Sequence, residues 1–129
     1  MTTKERYDSL FRWYAEVSSV DWRLLKCQVE AESAFNPKAV SPVGAAGLAQ
    51  FMRATWMDWS PGGDRFNPED SIEAQAKYMR HLLDLFKEDV KLALAAYNWG
   101  MGHVRKNPDP DSWPSETRRY VEKIVAALG

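Results

Sequence analysis

Residues 21–50, DWRLLKCQVEAESAFNPKAVSPVGAAGLAQ, decide the fold that the sequence predicts. The first half of this segment has the three- and four-residue spacing of an amphipathic helix, with Leu25 and Val29 on its apolar face. Glu32 falls on the same face, whereas Glu30 falls on the opposite, charged face. The pattern therefore predicts a helix that carries one carboxyl group toward the protein interior near its last turn.

The position of Glu32 predicts its charge state. Burial and the carbonyl end of the helix dipole both disfavour a negative charge, so we expect a raised pKa and a proton retained near neutral pH. A protonated carboxyl group can act as the general acid that cleaves an acetal. The alternative interpretation is that Glu32 borders the core and turns its carboxylate to water. Glu30, with Lys26 four residues before it, predicts a solvated ion pair.

Helical patterns continue along the rest of the chain, and no run of strand-like alternation is long enough to predict a sheet. Asp21, Asn67 and Asp89 each precede a helical pattern and are predicted N-caps. We predict an all-α protein that forms one compact domain over the whole chain, with an N-terminal helix in residues 1–20 and a core in residues 21–129.

Two of these helices are predicted with their buried faces. The first starts at a capping box, because Thr2 precedes Glu5 by three residues. The third follows the loop after Pro42 and is broken at Pro61-Gly62-Gly63. Trp13 and Trp22 lie beside apolar stripes and are predicted core residues, and Cys27 is predicted to be a small buried hydrophobe beside Trp22 and Leu25. The predicted inward residues are Tyr7, Leu10, Phe11, Tyr14 and Val17 in the first helix, and Leu48, Phe51, Met52 and Trp56 in the third.

Composition excludes several classes of protein. The chain has 17 basic and 18 acidic residues and a net charge of −1, so no global field favours nucleic acid or an anionic membrane. A single cysteine excludes an internal disulfide framework, and two histidines offer no metal cluster. No segment approaches the length of a transmembrane helix. The N-terminus is charged and has no apolar h-region, so no secretory signal is predicted.

Three stretches resemble a known family in its own order: residues 32–50, residues 95–100 (AAYNWG) and residues 116–121 (ETRRYV). They are similar to the three signatures of the soluble lytic transglycosylase catalytic domain, a member of the lysozyme-like superfamily. The match runs from about residue 21 to the C-terminus. The resemblance implies a single lysozyme-like helical domain and an enzyme that cleaves peptidoglycan.

The resemblance also implies a role for each matching residue. Glu32 would be the catalytic residue, first as general acid on the glycosidic oxygen between N-acetylmuramic acid and N-acetylglucosamine, then as base on the muramic acid C6 hydroxyl. The product would carry 1,6-anhydro-N-acetylmuramic acid. Gly44 and Gly47 would let the backbone approach sugar. The residues expected to bind substrate are Ser33, Ser41, Gln50, Tyr97, Asn98, Trp99 and Glu116.

Tryptophan is frequent in this chain, and its indole stacks well on a pyranose face. Trp99 and Trp113 lie beside the second and third signatures, so both are candidates for sugar contact. Trp99 is also a departure, because the family usually has alanine at that position, and Arg53 stands where proline is common. A side chain as large as tryptophan is expected to narrow a subsite.

The resemblance and the N-terminus together favour a bacteriophage lysin that is made in the cytoplasm, is exported with a holin and acts on the cell wall. We expect a monomer that needs no cofactor and no metal, binds glycan strands of peptidoglycan, and neither binds nucleic acid nor inserts into membranes. Two alternatives stay open at this point. One is a hydrolytic muramidase of the same fold, and the other is a non-catalytic wall-binding component of a phage or secretion apparatus.

Overall fold

The computed structural model describes all 129 residues and is all-α. It contains no strand, and two isolated bridges join Val40 to Ala46 and Ala46 to Phe51. The predicted fold class is therefore confirmed. The helices are α1 (Asp8–Ser18), α2 (Trp22–Ser33), α3 (Arg53–Trp59), α4 (Pro68–Leu85), α5 (Val90–Trp99), α6 (Met101–Lys106) and α7 (Ser115–Leu128), with 3₁₀ turns at Thr3–Glu5 and Pro110–Ser112.

The chain divides into two compact units, Met1–Tyr78 and Met79–Gly129. The first unit holds α1, α2 and α3, and the second holds α5, α6 and α7. The predicted division into residues 1–20 and 21–129 stays a prediction. None of the helices combines the length and the apolar composition that a bilayer span requires.

Three helices begin at the N-caps that the sequence predicts. The Asp21 carboxylate accepts a hydrogen bond from the Arg23 amide at 2.9 Å. The Asn67 side chain accepts from the Asp70 amide at 2.9 Å. Asp89 accepts from the amide of Leu92 at 3.0 Å. Each cap satisfies an amide that has no partner inside the helix, which is why these side chains mark the helix starts.

The buried face of α2 is centred on Leu25, Gln28 and Val29, all of which have no exposed surface. Gln75 on α4 contacts this face, because its Nε2 atom donates to the Leu25 carbonyl at 3.1 Å and to Gln28 Oε1 at 2.8 Å. A buried amide must find such partners, since leaving it without them costs about 1–3 kcal/mol. The buried stripe of α4 consists of Ile72, Gln75, Ala76, Met79, Leu82 and Leu83.

The N-terminal helix differs from its prediction. It begins at Asp8, and the hydroxyl of Thr2 donates to the Glu5 carboxylate at 2.7 Å beside a 3₁₀ turn instead of capping α1. Val17 is 66% exposed, so its predicted burial is wrong. Ala15 is buried instead, because the side chains that contact the core follow the four-residue steps from Phe11 rather than those from Leu10.

Two tryptophans and the cysteine also lie further from the core than predicted. Trp13 is 63% exposed. Trp22 is half-buried and has the Arg12 guanidinium 4.5 Å above its ring. Cys27 is half-buried as well, and this burial raises the pKa of its thiol. These side chains flank the buried stripe of α2 or lie on α1, so their apolar character does not make them core residues.

The ion pair predicted between Lys26 and Glu30 does not form. The ammonium of Lys26 lies 2.7 Å from the Asp8 carboxylate, and Glu30 lies 3.2 Å from Lys4. The two partners, Lys4 and Asp8, both belong to the N-terminal segment, so tertiary ion pairs replace the local pair between Lys26 and Glu30. Glu30 nevertheless lies on the charged side of α2, as the sequence predicts.

Residues 45–52 lie in a loop rather than in the third helix, so that helix begins later than the sequence predicts. Leu48 and Phe51 are buried as expected, but Met52 is 45% exposed. The left-handed backbone of Gly47 (φ 81°) and Gln50 (φ 52°) is incompatible with a continuous helix. α3 begins only at Arg53. Its Trp56 is buried and packs edge-on against Phe51, with ring centroids 5.3 Å apart.

Candidate active site

Glu32 lies in the last turn of α2, four residues after Gln28 and three after Val29, and so continues the buried face of the helix. The residue itself is half-buried. The structure therefore places this carboxyl group at the edge of the core, at the end of a helix. Its role as catalytic residue stays a prediction from the sequence.

The backbone turns sharply after Glu32. Ala34 (φ 50°) and Phe35 (φ 62°) are consecutive non-glycine residues in the left-handed region. Each such residue costs about 1–2 kcal/mol and persists where surrounding contacts impose it. Phe35 is buried, and the amide of Asn36 donates to the Ser33 carbonyl at 3.0 Å. No glycine occupies either left-handed position, and the local sequence signal for the turn is the Asn36-Pro37 pair that follows.

Ser33 joins the end of α2 to the following loop. Its hydroxyl lies 2.8 Å from the Leu48 carbonyl and 3.2 Å from the Val29 carbonyl of its own helix. The hydroxyl has one proton to donate, so toward any ligand it offers mainly its acceptor lone pairs. This contact links the turn that carries Glu32 to the second half of the same sequence signature.

Ser41 and Gln50 both have local hydrogen bonds that restrict what they can offer to a substrate. The Ser41 hydroxyl oxygen accepts from the Ala45 amide at 3.0 Å. Gln50 Nε2 donates to the carbonyls of Ala39 at 3.1 Å and Gly47 at 2.8 Å. Both amide protons of Gln50 are thus used within the loop. Its Oε1 atom, which bonds no protein group, is the part available to a ligand.

The two glycines of this loop have different reasons to be glycine. Both have left-handed backbone, with φ 93° at Gly44 and 81° at Gly47. A Cβ at Gly44 would meet nothing within 4 Å. A Cβ at Gly47 would lie 1.9 Å from the main-chain oxygen of Arg65. Close packing against the Arg65 backbone therefore requires glycine at position 47. The expectation from the sequence was that this glycine lets the backbone approach sugar.

In the second unit, a hydrogen bond joins the second and third sequence signatures. Thr117 Oγ1 donates to Asn98 Oδ1 at 2.9 Å, which links α7 to the last turn of α5. Thr117 is buried, whereas Tyr97 and Asn98 are half-buried. Because Oδ1 of Asn98 is occupied, its Nδ2 donors are the part directed away from this bond. Thr117 was missed as a site residue although it follows Glu116 in the quoted signature.

Glu116 is exposed in the first turn of α7, and its carboxylate makes no ion pair or hydrogen bond with protein groups. An acidic side chain at this position is favoured by the helix dipole. Glu116 directly precedes Thr117 in the sequence. Its expected contact with substrate stays a prediction.

The two candidate tryptophans have different environments. Trp99 is half-buried and stacks on His103, with ring centroids 4.6 Å apart and an interplanar angle of 11°. Trp113 is only 5% exposed, and its Nε1 atom donates to the Asn107 carbonyl at 2.8 Å. Trp113 thus closes the loop before α7, and its predicted sugar contact is not supported by its burial. Trp99 keeps partial exposure.

A family model matches most of this chain. The Transglycosylase SLT domain model covers residues 9–118, which include the first two signatures and the start of the third. The chain belongs to the SLT domain family. Glu32, the turn after it and the Asn98–Thr117 bond all fall within the matched region.

Individual relatives agree with this SLT assignment. Membrane-bound lytic murein transglycosylase F from Serratia proteamaculans (strain 568) is 39% identical over 127 residues, covering 88% of this chain and 26% of that protein. The same-named protein from Marinobacter nauticus is 38% identical over 122 residues, covering 84% of this chain and 24% of that protein. The chain therefore spans about a quarter of the length of these relatives.

Solved structures show the same fold. A complex of the 70-kDa soluble lytic transglycosylase with bulgecin A superposes with a TM-score of 0.87 at 30% identity, covering 95% of this chain and 23% of that chain. An inactive glutamate-to-glutamine variant of the lytic transglycosylase Slt from Pseudomonas aeruginosa gives 0.85 at 27% identity, covering the same shares. The lysozyme-like helical fold predicted for this SLT domain is confirmed.

Proposed function

We propose that this SLT domain is a lytic transglycosylase that cleaves the β-1,4 bond between N-acetylmuramic acid and N-acetylglucosamine in peptidoglycan, with formation of 1,6-anhydro-N-acetylmuramic acid. The observation that carries the proposal is the position of Glu32. It is a carboxyl group at the end of the buried face of α2, within the signature that the family model matches. Family membership and the relatives' names support the same reaction class.

Glu32 performs both proton transfers in the proposed reaction. Its carboxyl group first protonates the glycosidic oxygen, and the C1–O bond breaks with positive charge developing on the muramic acid ring. The resulting carboxylate then takes the proton of the C6 hydroxyl, whose oxygen bonds to C1. No water is consumed, and Glu32 ends protonated as it began. One residue can serve as acid and then as base because the second step reverses the charge change of the first.

A single carboxylate suits this reaction better than it suits hydrolysis. Ordinary glycosidases use a pair of carboxyl groups that flank the bond. Glu30, the nearest carboxylate to Glu32 in sequence, lies on the opposite face of α2 and pairs with Lys4 at 3.2 Å. The acetamido group of the substrate can stabilise the charge at C1 in place of a second carboxylate.

The remaining site residues are proposed to bind the glycan strand through the groups that their local bonds leave available. Gln50 offers its Oε1 atom as an acceptor, and Asn98 offers its Nδ2 donors. Trp99 offers its partly exposed indole for stacking on a pyranose ring. Tyr97 and Glu116 complete the polar contacts. Ser33 and Ser41 contribute hydroxyl lone pairs beside their main-chain bonds.

The proposal is tested by mass spectrometry of the muropeptides that the protein releases from purified peptidoglycan. Products that carry 1,6-anhydro-muramic acid, one water lighter than reducing ends, are expected from the wild type. Glu32→Gln should release none. Glu30→Gln is the matched control, since it changes a glutamate of the same helix on the solvated face, and it should retain activity.

Other outcomes separate the alternatives. Reducing ends in place of anhydro products would identify a hydrolytic muramidase of the same fold and refute the transglycosylase proposal. If neither the wild type nor Glu30→Gln releases product under conditions where a lysozyme does, the catalytic proposal is refuted and the alternative of a non-catalytic binding or structural component stands. Activity retained by Glu32→Gln would remove Glu32 from the reaction.

A role in host lysis by a bacteriophage, with export through a holin, stays a prediction from the sequence, as does a monomeric state. The relatives named above come from bacteria. Expression in the bacterial cytoplasm with and without a co-expressed holin tests the lysis role, because a holin-dependent enzyme clears the culture only when both proteins are present. Light scattering coupled to size-exclusion chromatography tests the oligomeric state.

A further inference from the structure

Arg65 contacts both ends and the middle of the loop that carries Gln50. Its Nη1 atom donates hydrogen bonds to the Gly44 carbonyl at 3.0 Å and to the Phe51 carbonyl at 2.9 Å. A Cβ added at Gly47 would lie only 1.9 Å from the main-chain oxygen of Arg65, so the Arg65 backbone packs directly against Gly47. We call residues 44–51 the substrate loop.

The guanidinium group is suited to hold a backbone in this way. It is a rigid, planar, positively charged fork of N–H donors. No carboxylate lies within ion-pair distance of Arg65, and the acceptors of its hydrogen bonds are main-chain carbonyls. Hydrogen bonds from a charged donor are stronger than those between neutral groups. The charged guanidinium group of Arg65 thus bonds the loop backbone and forms no ion pair.

Two further contacts hold the middle of the substrate loop. The Ser33 hydroxyl lies 2.8 Å from the Leu48 carbonyl, and the Ala49 amide donates to the Ser71 hydroxyl at 3.2 Å. These contacts attach the buried residues of the loop to α2 and α4. Only Arg65 bonds both ends of the substrate loop. Gln50 directly precedes Phe51, whose carbonyl is one of the two that Arg65 binds.

We propose that Arg65 is a positioning residue for substrate binding. It holds the substrate loop so that Gln50 keeps its left-handed backbone and presents Oε1 to the glycan strand. Because Gln50 Nε2 bonds the Gly47 carbonyl, any displacement of Gly47 by a loosened Arg65 moves the Gln50 amide as well. Arg65 itself touches no substrate. This inference rests on the proposed function in one respect, which is that Gln50 contacts the glycan.

The experiment compares Arg65→Met, which keeps the apolar stem and removes the donors, with Arg65→Lys and with Arg53→Met. Arg53 is an exposed arginine beside the loop, and its side chain makes no hydrogen bond or ion pair with protein groups, so its variant is the matched control. Residue-resolved hydrogen exchange follows the amides of Ala46 and Gly47, which donate to the carbonyls of Phe51 and Ala39. Binding to insoluble peptidoglycan is measured by sedimentation with each change placed in a Glu32→Gln background, so that it does not depend on turnover.

We expect exchange at the Ala46 and Gly47 amides to accelerate by at least about tenfold in Arg65→Met, because the loop opens more often once the charged hydrogen bonds of Arg65 are lost. Amides in the middle of α4 should exchange at the wild-type rate, because this opening is local. Binding to peptidoglycan should weaken by about tenfold in the Glu32→Gln background. In the active form, KM should rise while kcat changes by less than about threefold, because the lost interaction binds the substrate and the transition state equally. Arg65→Lys should restore part of the binding. Arg53→Met should match its parent in every readout.

Unchanged loop exchange or unchanged binding in Arg65→Met would overturn the proposal. Faster exchange throughout α4, with kcat and KM affected together, would make Arg65 a general stabilising residue and would overturn it too. Failure of the wild type to release anhydro products would refute the proposed function instead. The exchange and sedimentation measurements would still decide the role of Arg65 in that case.

Discussion

Gly47→Ala and Gly44→Ala form a matched pair that tests how the substrate loop is packed. Both glycines belong to the same loop and have left-handed backbone, with φ 81° and 93°. They differ in their surroundings, because an added Cβ meets the Arg65 main-chain oxygen at 1.9 Å at Gly47 and nothing within 4 Å at Gly44. The pair therefore separates backbone strain from steric overlap.

The expected magnitudes follow from these distances. Alanine in left-handed backbone costs about 1–2 kcal/mol at either position. At Gly47 the contact must also lengthen from 1.9 Å to at least 3.0 Å, so the loop and the Arg65 backbone must separate by more than 1 Å. Overpacking of this kind costs about 1–3 kcal/mol. We expect Gly44→Ala to lower the free energy of unfolding by about 1–2 kcal/mol and Gly47→Ala by about 2–5 kcal/mol.

Chemical denaturation followed by tryptophan fluorescence measures the difference. For a chain of this size, 1 kcal/mol corresponds to roughly 4 °C in Tm, so the two variants should melt roughly 4–12 °C apart. Gly47→Ala should also raise KM more than Gly44→Ala, because it displaces the backbone that carries Gln50. Equal destabilisation by the two variants would refute the claim that Arg65 packs against Gly47.

Three further predictions follow from individual contacts. Thr117→Val removes the hydroxyl that holds Asn98 at 2.9 Å and should lower the free energy of unfolding by about 1–2 kcal/mol and raise KM, measured by denaturation and steady-state kinetics. Trp113→Phe removes a buried indole donor and should destabilise by about 1–3 kcal/mol without a change in KM, whereas a KM change would restore the sugar-contact prediction. The hydrogen bond to Glu69 raises the pKa of Tyr14 to about 12, so the folded state binds this proton more tightly; its stabilising contribution is present below about pH 10 and is lost as the pH rises toward 12. Tyr14→Phe should therefore lose less Tm than the wild type between pH 9 and about 12, and an equal loss would contradict the assignment.

Local signals in the sequence predicted much of the helical structure correctly. The caps at Asp21, Asn67 and Asp89 form as expected, because each is a hydrogen bond between residues two or three positions apart. The position of Glu32 on the buried face of α2 follows from helix periodicity in the same way. Its charge state and catalytic role stay predictions, as do the substrate contacts of the other site residues.

The errors share a different physical origin. Leu48 and Phe51 have the spacing of a helix, yet they lie in a loop because Gly47 and Gln50 adopt left-handed backbone. Long-range hydrogen bonds from Arg65 to the Gly44 and Phe51 carbonyls hold this loop. Trp113 is apolar and near a sequence signature, but its indole N–H bonds a main-chain carbonyl inside the fold. Periodicity cannot distinguish these cases, since it reports which residues are apolar and not which partner each one meets.

The sequence by itself determined the helical class, the starts of three helices, the family signatures and the placement of Glu32 at the end of α2. All of these depend on residues within a few positions of one another. Only the tertiary structure decided that Arg65 holds the substrate loop and that Thr117 holds Asn98. These contacts join residues 14 to 21 positions apart across loops and between helices. Such pairs become neighbours only when packing brings their elements together, so no local pattern could reveal them.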